Sequence, residues 1–311
     1  MFKKIQTLKK LLILLLILSG KSVVAQFSPP NTLEINVTYS PESKYTQKDG
    51  DLEDTKKTQK RIDLGYSFLI SDKVDPVTKR LSRWTGFIDG SYTQMSNKVS
   101  EKDVMPEKLL SSQLGVSYFR SMGNNWGMLN ILSAGVNSDL KKVDVHDLFV
   151  NGGVLFIKTY SPRFSIGFGG FVVNALNAPM LFPAFAVHFQ TDGKLKFNVD
   201  IPTEVSAAYD VTKKMELKLA FKFRNMIYDT ENKNDPQKRY LNYMELPLGL
   251  ENKWKSKHFD FVLGGGYMFL RNYSFNEGGL KHMYDDVAFN KLGGNFYVNA
   301  GIRYRLKTPT K

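Results

Sequence analysis

The chain has 311 residues, 42% hydrophobic and 13% aromatic, with a formal net charge of +13 and no cysteine. The absence of cysteine excludes disulfide staples, thiolate metal sites, a cysteine nucleophile and the acylated cysteine of a lipoprotein. Lysines and arginines scatter through turns and alternate positions, often beside acids, without the basic stripe that nucleic acid requires, so nucleic acid is not an expected partner.

In chain order, the first element is a secretory signal peptide over residues 1–25. Lys3, Lys4, Lys9 and Lys10 form its basic region, Leu11 to Leu18 its apolar core, and Val23-Val24-Ala25 a small-residue cleavage signal before Gln26. Eight apolar residues are too few to span a bilayer as a helix, and no other run approaches the roughly 18 that a spanning helix needs. Any membrane attachment must therefore come from the fold of residues 26–311, read as one domain.

That domain is a succession of alternating segments. LEINVTY (33–39) sets Leu33, Ile35, Val37 and Tyr39 on one face, and RIDLGYSFLI (61–70) opposes Ile62, Leu64, Tyr66, Phe68 and Ile70 to Arg61, Asp63, Gly65 and Ser67. WTGFIDGSYTQ (from Trp84), LLSSQLGVSYF (from Leu109), WGMLNILSAGV (from Trp126), LFVNGGVLFIKTY (from Leu148) and RFSIGFGGFVV (from Arg163) follow. AFAVHFQ, LKFNVDI and EVSAAYD begin at Ala184, Leu195 and Glu204. MELKLAFKFR (215–224) has Met215, Leu217, Leu219, Phe221 and Phe223 on one side and Glu216, Lys218, Lys222 and Arg224 on the other, and RYLNYMELPLGL, HFDFVLGGGYMFL and NFYVNAGIRYRL complete the series. Period two means strands, each with one oily and one polar face. There are fourteen segments. The tight connection Ile201-Pro202-Thr203 joins the two shortest, so twelve is the alternative count.

Connections alternate in kind. SMGNN, SPR, TDGK and DVTKK are short, whereas residues 41–60, 96–107, 137–147, 229–238 and 271–290 form long polar loops, all on the opposite side. Many segments run ten to thirteen residues, near the nine to eleven a tilted strand needs to cross hydrocarbon. Trp84, Trp126 and Trp254 lie at or in the short turns, and Tyr118, Tyr160, Tyr209 and Tyr304 close strands entering that same side, as a girdle of interface aromatics would. The fold expected is all-β, a closed antiparallel transmembrane β-barrel with short periplasmic turns and long external loops.

The Ala25-Gln26 junction, the IPTEV link before SAAYDVTKKMELKLAFKFR, the LPLGLENKW and FDFVLGGGYMF hairpin and the terminal AGIRYRL resemble an uncharacterised outer-membrane β-barrel family of Gram-negative bacteria, one of the domain-of-unknown-function families. The likeness covers most of residues 26–311, and one departure is the LKTPTK tail where a barrel strand usually ends on an aromatic residue. The resemblance implies an outer-membrane location, with outer-membrane lipid and lipopolysaccharide as surroundings and the barrel assembly machinery as a partner during biogenesis. It brings no catalytic residues, and the oligomeric state stays open.

No catalytic set, metal site or cofactor motif is expected, and the chain is read as a non-enzyme. His146, His188, His258 and His282 lack zinc spacings, and no GxSxG elbow or HExxH occurs. His188 shares the expected inner face with Ala184 and Ala186; a lumen-edge hydrolase would have to rest on it alone. Asp49, Asp51, Glu53 and Asp54 begin like a calcium loop, but the glycine is misplaced and Lys60 stands where glutamate belongs. The glycine pairs and triplets lie within strands and read as barrel architecture.

What remains is the lumen, lined in this reading by Arg61, Asp63, Asp89, His188, Glu216, Lys218, Lys222, Arg224, Glu245, Arg303 and Arg305. Such charges either line water or pair across the barrel and plug it, and twelve to fourteen strands lies between filled and open barrels. Two functions follow: a passive pore or uptake channel for small polar solutes, with loop 271–290 as constriction, or a closed barrel whose external loops carry a structural or surface-binding role.

Overall fold

The computed structural model describes residues 31–45, 56–98, 105–230, 237–279, 281 and 290–306. Residues 1–25, read from the sequence as a signal peptide, the acids Asp49 to Asp54 and His282 lie outside the described residues.

Sixteen β segments form one sheet: β1 (Thr32–Lys44), β2 (Lys56–Val74), β3 (Leu81–Lys98), β4 (Lys108–Gly123), β5 (Trp126–Ser138), β6 (Leu148–Ser161), β7 (Phe164–Val173) and β8 (Met180–Gln190) are the first eight. They are followed by β9 (Leu195–Ile201), β10 (Glu204–Thr212), β11 (Met215–Lys222), β12 (Arg224–Asp229), β13 (Tyr240–Lys255), β14 (Phe259–Asn276), β15 (Asn290–Leu292) and β16 (Asn295–Arg305). β11 and β12 both pair with β13 in one register, and β15 and β16 both pair with β14, so each couple is one interrupted strand. The barrel has fourteen antiparallel staves. It closes where β1 meets β16, with Leu33 opposite Tyr304 and Val37 opposite Ala300. Of the two counts the sequence left open, fourteen is the one the molecule adopts, with Ile201-Pro202-Thr203 as a true reversal.

The burial pattern inverts that of a soluble protein. On β1, Leu33, Ile35, Val37 and Tyr39 are exposed, while Thr32 and Thr38 are 2% and 4% exposed and Ser40 not at all. On β11, Leu219 is 49% exposed and Glu216 only 6%. A sheet whose apolar face looks out all round the ring is stable only against an apolar medium, since exposing such an area to water is costly. This is the surface of a membrane barrel.

Several staves outrun the lengths read from the sequence. β2 has 19 residues and β14 has 18, so part of the expected loops at 41–60 and 271–290 is strand. The interruption between β11 and β12 falls where Pro247 of β13 would pair with Lys222. Proline has no N–H for the ladder, and on the other side the Phe223 amide donates to the Thr203 carbonyl at 2.8 Å, the last rung towards β10. β10 begins at Glu204, opposite Lys222. Beyond that level β12 has no neighbour on its β10 side, and an unpaired strand edge seeks another partner.

Candidate functional site

β12 finds that partner across the barrel. Asp229 forms a parallel bridge with Ser138 of β5, and the Asp139 amide donates to the Asp229 carbonyl at 3.2 Å. β5 and β12 are six staves apart in a ring of fourteen, so the β12–β13 hairpin arches over the lumen at the long-loop end. Its burial confirms the arch: Tyr240 to Pro247 are buried on both faces, whereas a lipid-facing strand exposes one.

Beneath the arch the long-loop mouth is filled. Tyr228, Leu241, Tyr243 and Tyr273 pack with Met95, Met105, Leu109, Tyr45 and Leu292. A polar network is folded into them. Gln59 Nε2 and the Tyr243 hydroxyl each donate to Glu245 Oε1 at 2.7 Å, and Arg271 donates to Ser43 Oγ at 2.8 Å and to Gln59 Oε1. Arg271 was read from the sequence as the start of the 271–290 loop; it is a strand residue, 1% exposed, inside this closure. Residues 272–276 continue the same strand, and of that proposed constriction residues 280 and 282–289 lie outside the described residues.

Where the arch lands, a 3₁₀ turn (Val145–Asp147) supplies the seat. Asp144 caps it, accepting the His146 amide at 2.8 Å, and Asp147 accepts the Asp144 amide at 2.6 Å. The backbone amide of His146 holds the Asp144 carboxyl well below the usual carboxylate range, and burial pushes Asp147 up. Arg239 donates to both oxygens of Asp229 and stands 3.6 Å from Asp144, tying arch to seat. The carboxylates of Asp144, Asp147 and Asp229 come within 4.8 Å of one another, with the Arg239 charge balancing two of them.

Below the closure the lumen has two unlike walls. On β3 to β8 the inward residues Phe87, Leu129, Ile131, Leu155, Phe171, Ala184 and Ala186 form a buried apolar cluster. Phe171 lies flat over Gly153, where a Cβ would meet its ring at 1.9 Å. Sequence reasoning missed this wall, because β5 to β8 are apolar on both faces and the alternation there does not say which face turns in.

The β9–β13 wall is an ionic ladder. At its lowest rung Glu216 takes Lys196, Lys253 and Lys255 at 3.2, 2.8 and 2.7 Å. Lys218 joins Glu204 at 2.7 Å, and Lys222 joins Glu251. At the top Arg224 and Arg61 each stand 3.7 Å from Glu245, and Arg61 also holds Asp63 at 2.7 Å. Arg303 pairs with Glu34 at 2.5 Å, Arg305 with Asp260, and His188 with Asp200 at 2.7 Å. Ten of the eleven sequence-selected lumen residues enter these ion pairs, and the eleventh, Asp89, lines the cavity described next. They do not form one site: Arg61 and Glu245 belong to the closure, Glu216 and Arg305 to the short-turn end.

Between the walls is a cavity of about 320 Å³ whose charged lining comprises Lys218, Lys222, Arg224, Lys253 and Arg303 against Glu34, Asp63, Asp89, Glu204, Glu251 and Asp260. Its size is at the lower end for ligand sites, enough for a small solute.

The sequence-selected aromatics sit on the outer face near the short turns. Trp84 stacks on Tyr118 at 4.6 Å, Trp126 meets Phe168 edge-on at 5.9 Å, and Tyr304 lies 4.7 Å from Phe259. Tyr160, Tyr209 and Trp254 are outward and exposed.

A family model described as a domain of unknown function (DUF6268) matches residues 21–305. The chain belongs to this family. No curated protein sequence matches it. Among solved structures, this member of the family is similar to the translocator domain of autotransporter NalP from Neisseria meningitidis, at 13% identity and TM-score 0.36 over 92% of each chain. It is similar to the COG4313 outer membrane channel from Pseudomonas putida F1, at 10% identity and TM-score 0.40 over 89% of this chain and 96% of that one. LpxR from Salmonella typhimurium aligns at 10% identity and TM-score 0.36 over 88% of this chain and all of the other.

Proposed function

We propose that residues 1–25 direct export and that the barrel stands in the outer membrane as a gated pore for small polar solutes. In this reading the short turns face the periplasm and the β12–β13 arch closes the external mouth. One observation carries it: a charged cavity persists in the lumen directly beneath a hairpin that has left its own wall to cover it. A purely structural barrel has no need of a polar cavity, since apolar packing of the β3–β8 kind fills a lumen at lower cost. The arch has what a lid requires, namely a hinge where the β11–β12 ladder is broken opposite Pro247 and a small polar latch at Asp229, Ser138 and Arg239.

The filled mouth favours a second reading, a closed barrel whose external loops bind a surface partner. Single-channel recording of the refolded protein in a planar bilayer, after a heat-dependent gel shift has established folding, separates the two. Stepwise openings support the pore. Silence from a folded barrel supports the closed barrel and moves function to the loops.

A further inference from the structure

Among the described lumen carboxylates, one lacks a basic partner. Glu34, Asp63, Asp200 and Glu204 are held by Arg303, Arg61, His188 and Lys218, and the remaining lumen acids join the ladder or Arg305. Asp89 receives only the Gln113 Nε2 amide, at a long 3.3 Å. The register explains why. The inward row through Asp89 reads Glu34, Gly65, Asp89, Gln113, Gly135 across β1 to β5, with no base in it. On its own strand the flanking inward residues are Phe87 and Ser91, and those on β4 are Ser111 and Gly115.

The surroundings are shaped for a guest. Asp89 lines the cavity. Gly65 leaves the space beside it open, since a Cβ there would stand 3.2 Å from Asp89 Oδ1. Gln113 is 7% exposed, and its Oε1 is a buried acceptor with no hydrogen-bond partner. A carboxylate and an idle amide oxygen on the same wall suit a donor that carries positive charge. The charged lining of the cavity also holds one acid more than it holds bases.

We propose that Asp89, with Gln113 Oε1, is the subsite for the cationic group of the solute, a small monocation such as a primary ammonium. The inference rests on the pore reading for how the solute arrives, and it adds the charge the solute carries. On the opposite wall Lys218 and Lys222 are already paired with Glu204 and Glu251, which leaves Asp89 as the described cavity carboxylate without a basic partner.

The test is thermal unfolding of the refolded full-length barrel in detergent, titrated with methylammonium chloride and with potassium chloride at equal ionic strength. A ligand that binds the folded state raises the midpoint in a saturable way. A saturable rise with methylammonium is expected in the wild type and is lost in Asp89→Asn, with half-saturation weakened about tenfold or more. An equal rise with potassium assigns the subsite to inorganic monocations and keeps the cation chemistry. Gln113→Lys gives Asp89 a tethered ammonium, so it should raise the starting midpoint and abolish the response, and it carries the test if Asp89→Asn does not fold. No saturable response in the wild type, or the same response in all three proteins, overturns the proposal. The readout needs no current: a silent barrel with a saturable shift defeats the pore and keeps the subsite, and a conducting barrel without the shift does the reverse.

Discussion

Asp229 and Ser138 meet as bridge partners although their strands stand on opposite sides of the barrel. The contact follows from three local facts. The β9–β10 hairpin is short, so β12 rises above its neighbour; Pro247 breaks the ladder to β13; and Arg239 fixes the free end against Asp229. The bridge and the Arg239 pair fix the tip of the arch, and the buried packing of Tyr228, Leu241 and Tyr243 beneath it adds to the closure.

The cavity's mixed lining makes ion preference a direct readout. Replacing Lys218, Lys222 and Arg224 with glutamine leaves Glu204 and Glu251 without their basic partners and Glu245 with Arg61 alone. The reversal potential across a salt gradient should move toward cations, with the permeability ratio changing roughly threefold or more. An unchanged ratio means that ions do not pass this wall.

The apolar half of the lumen should behave as a core. Phe171 is 6% exposed and packs among buried residues, so Phe171→Ala should cost about 3–5 kcal/mol in denaturant unfolding. Leu132 is 57% exposed on the outer face, and Leu132→Ala exchanges contacts with detergent instead, at a smaller cost. Equal losses would show that the lumen is loosely filled.

Much of this was legible in the sequence, because period-two alternation needs no tertiary knowledge. The MELKLAFKFR stretch turned Leu219 out and Glu216 in as its pattern required. Fourteen staves followed from the same rule. The arch was not legible. Tyr243 looks like the continuation of an ordinary barrel strand and Arg271 like the start of a loop, and the alternation around Tyr243 does not say that its strand leaves the wall. Pro247 was the available signal, since a proline within a strand marks a broken ladder. Asp89 was selected as lumenal, but its isolation emerges only when the register shows which bases its neighbours have taken.

The seat of the arch carries a pH signature outside the membrane-spanning wall. The His146 amide lowers the Asp144 carboxyl below its ordinary value of 3.8. A depressed carboxylate adds stability that is present above its unfolded pKa and is lost as pH falls through the folded one. The Asp144 half of the cap should therefore survive mild acid and be lost only below the usual carboxylate range. An NMR titration of the Asp144 carboxyl carbon checks this; a midpoint at or above 3.8 would contradict it.

The most direct measurement uses the absence of cysteine in the natural chain. In the double variant Ser138→Cys, Asp229→Cys the new pair is the only one in the protein, and β-bridge partners stand at a separation a disulfide can span. Planar-bilayer conductance would be recorded for the oxidised protein and again after reductant. If the arch is the gate, oxidation closes the pore and reduction restores openings at or above the wild-type frequency, because the Asp229 latch is gone. Currents that are the same in both states would place the conducting path elsewhere and contradict the gate.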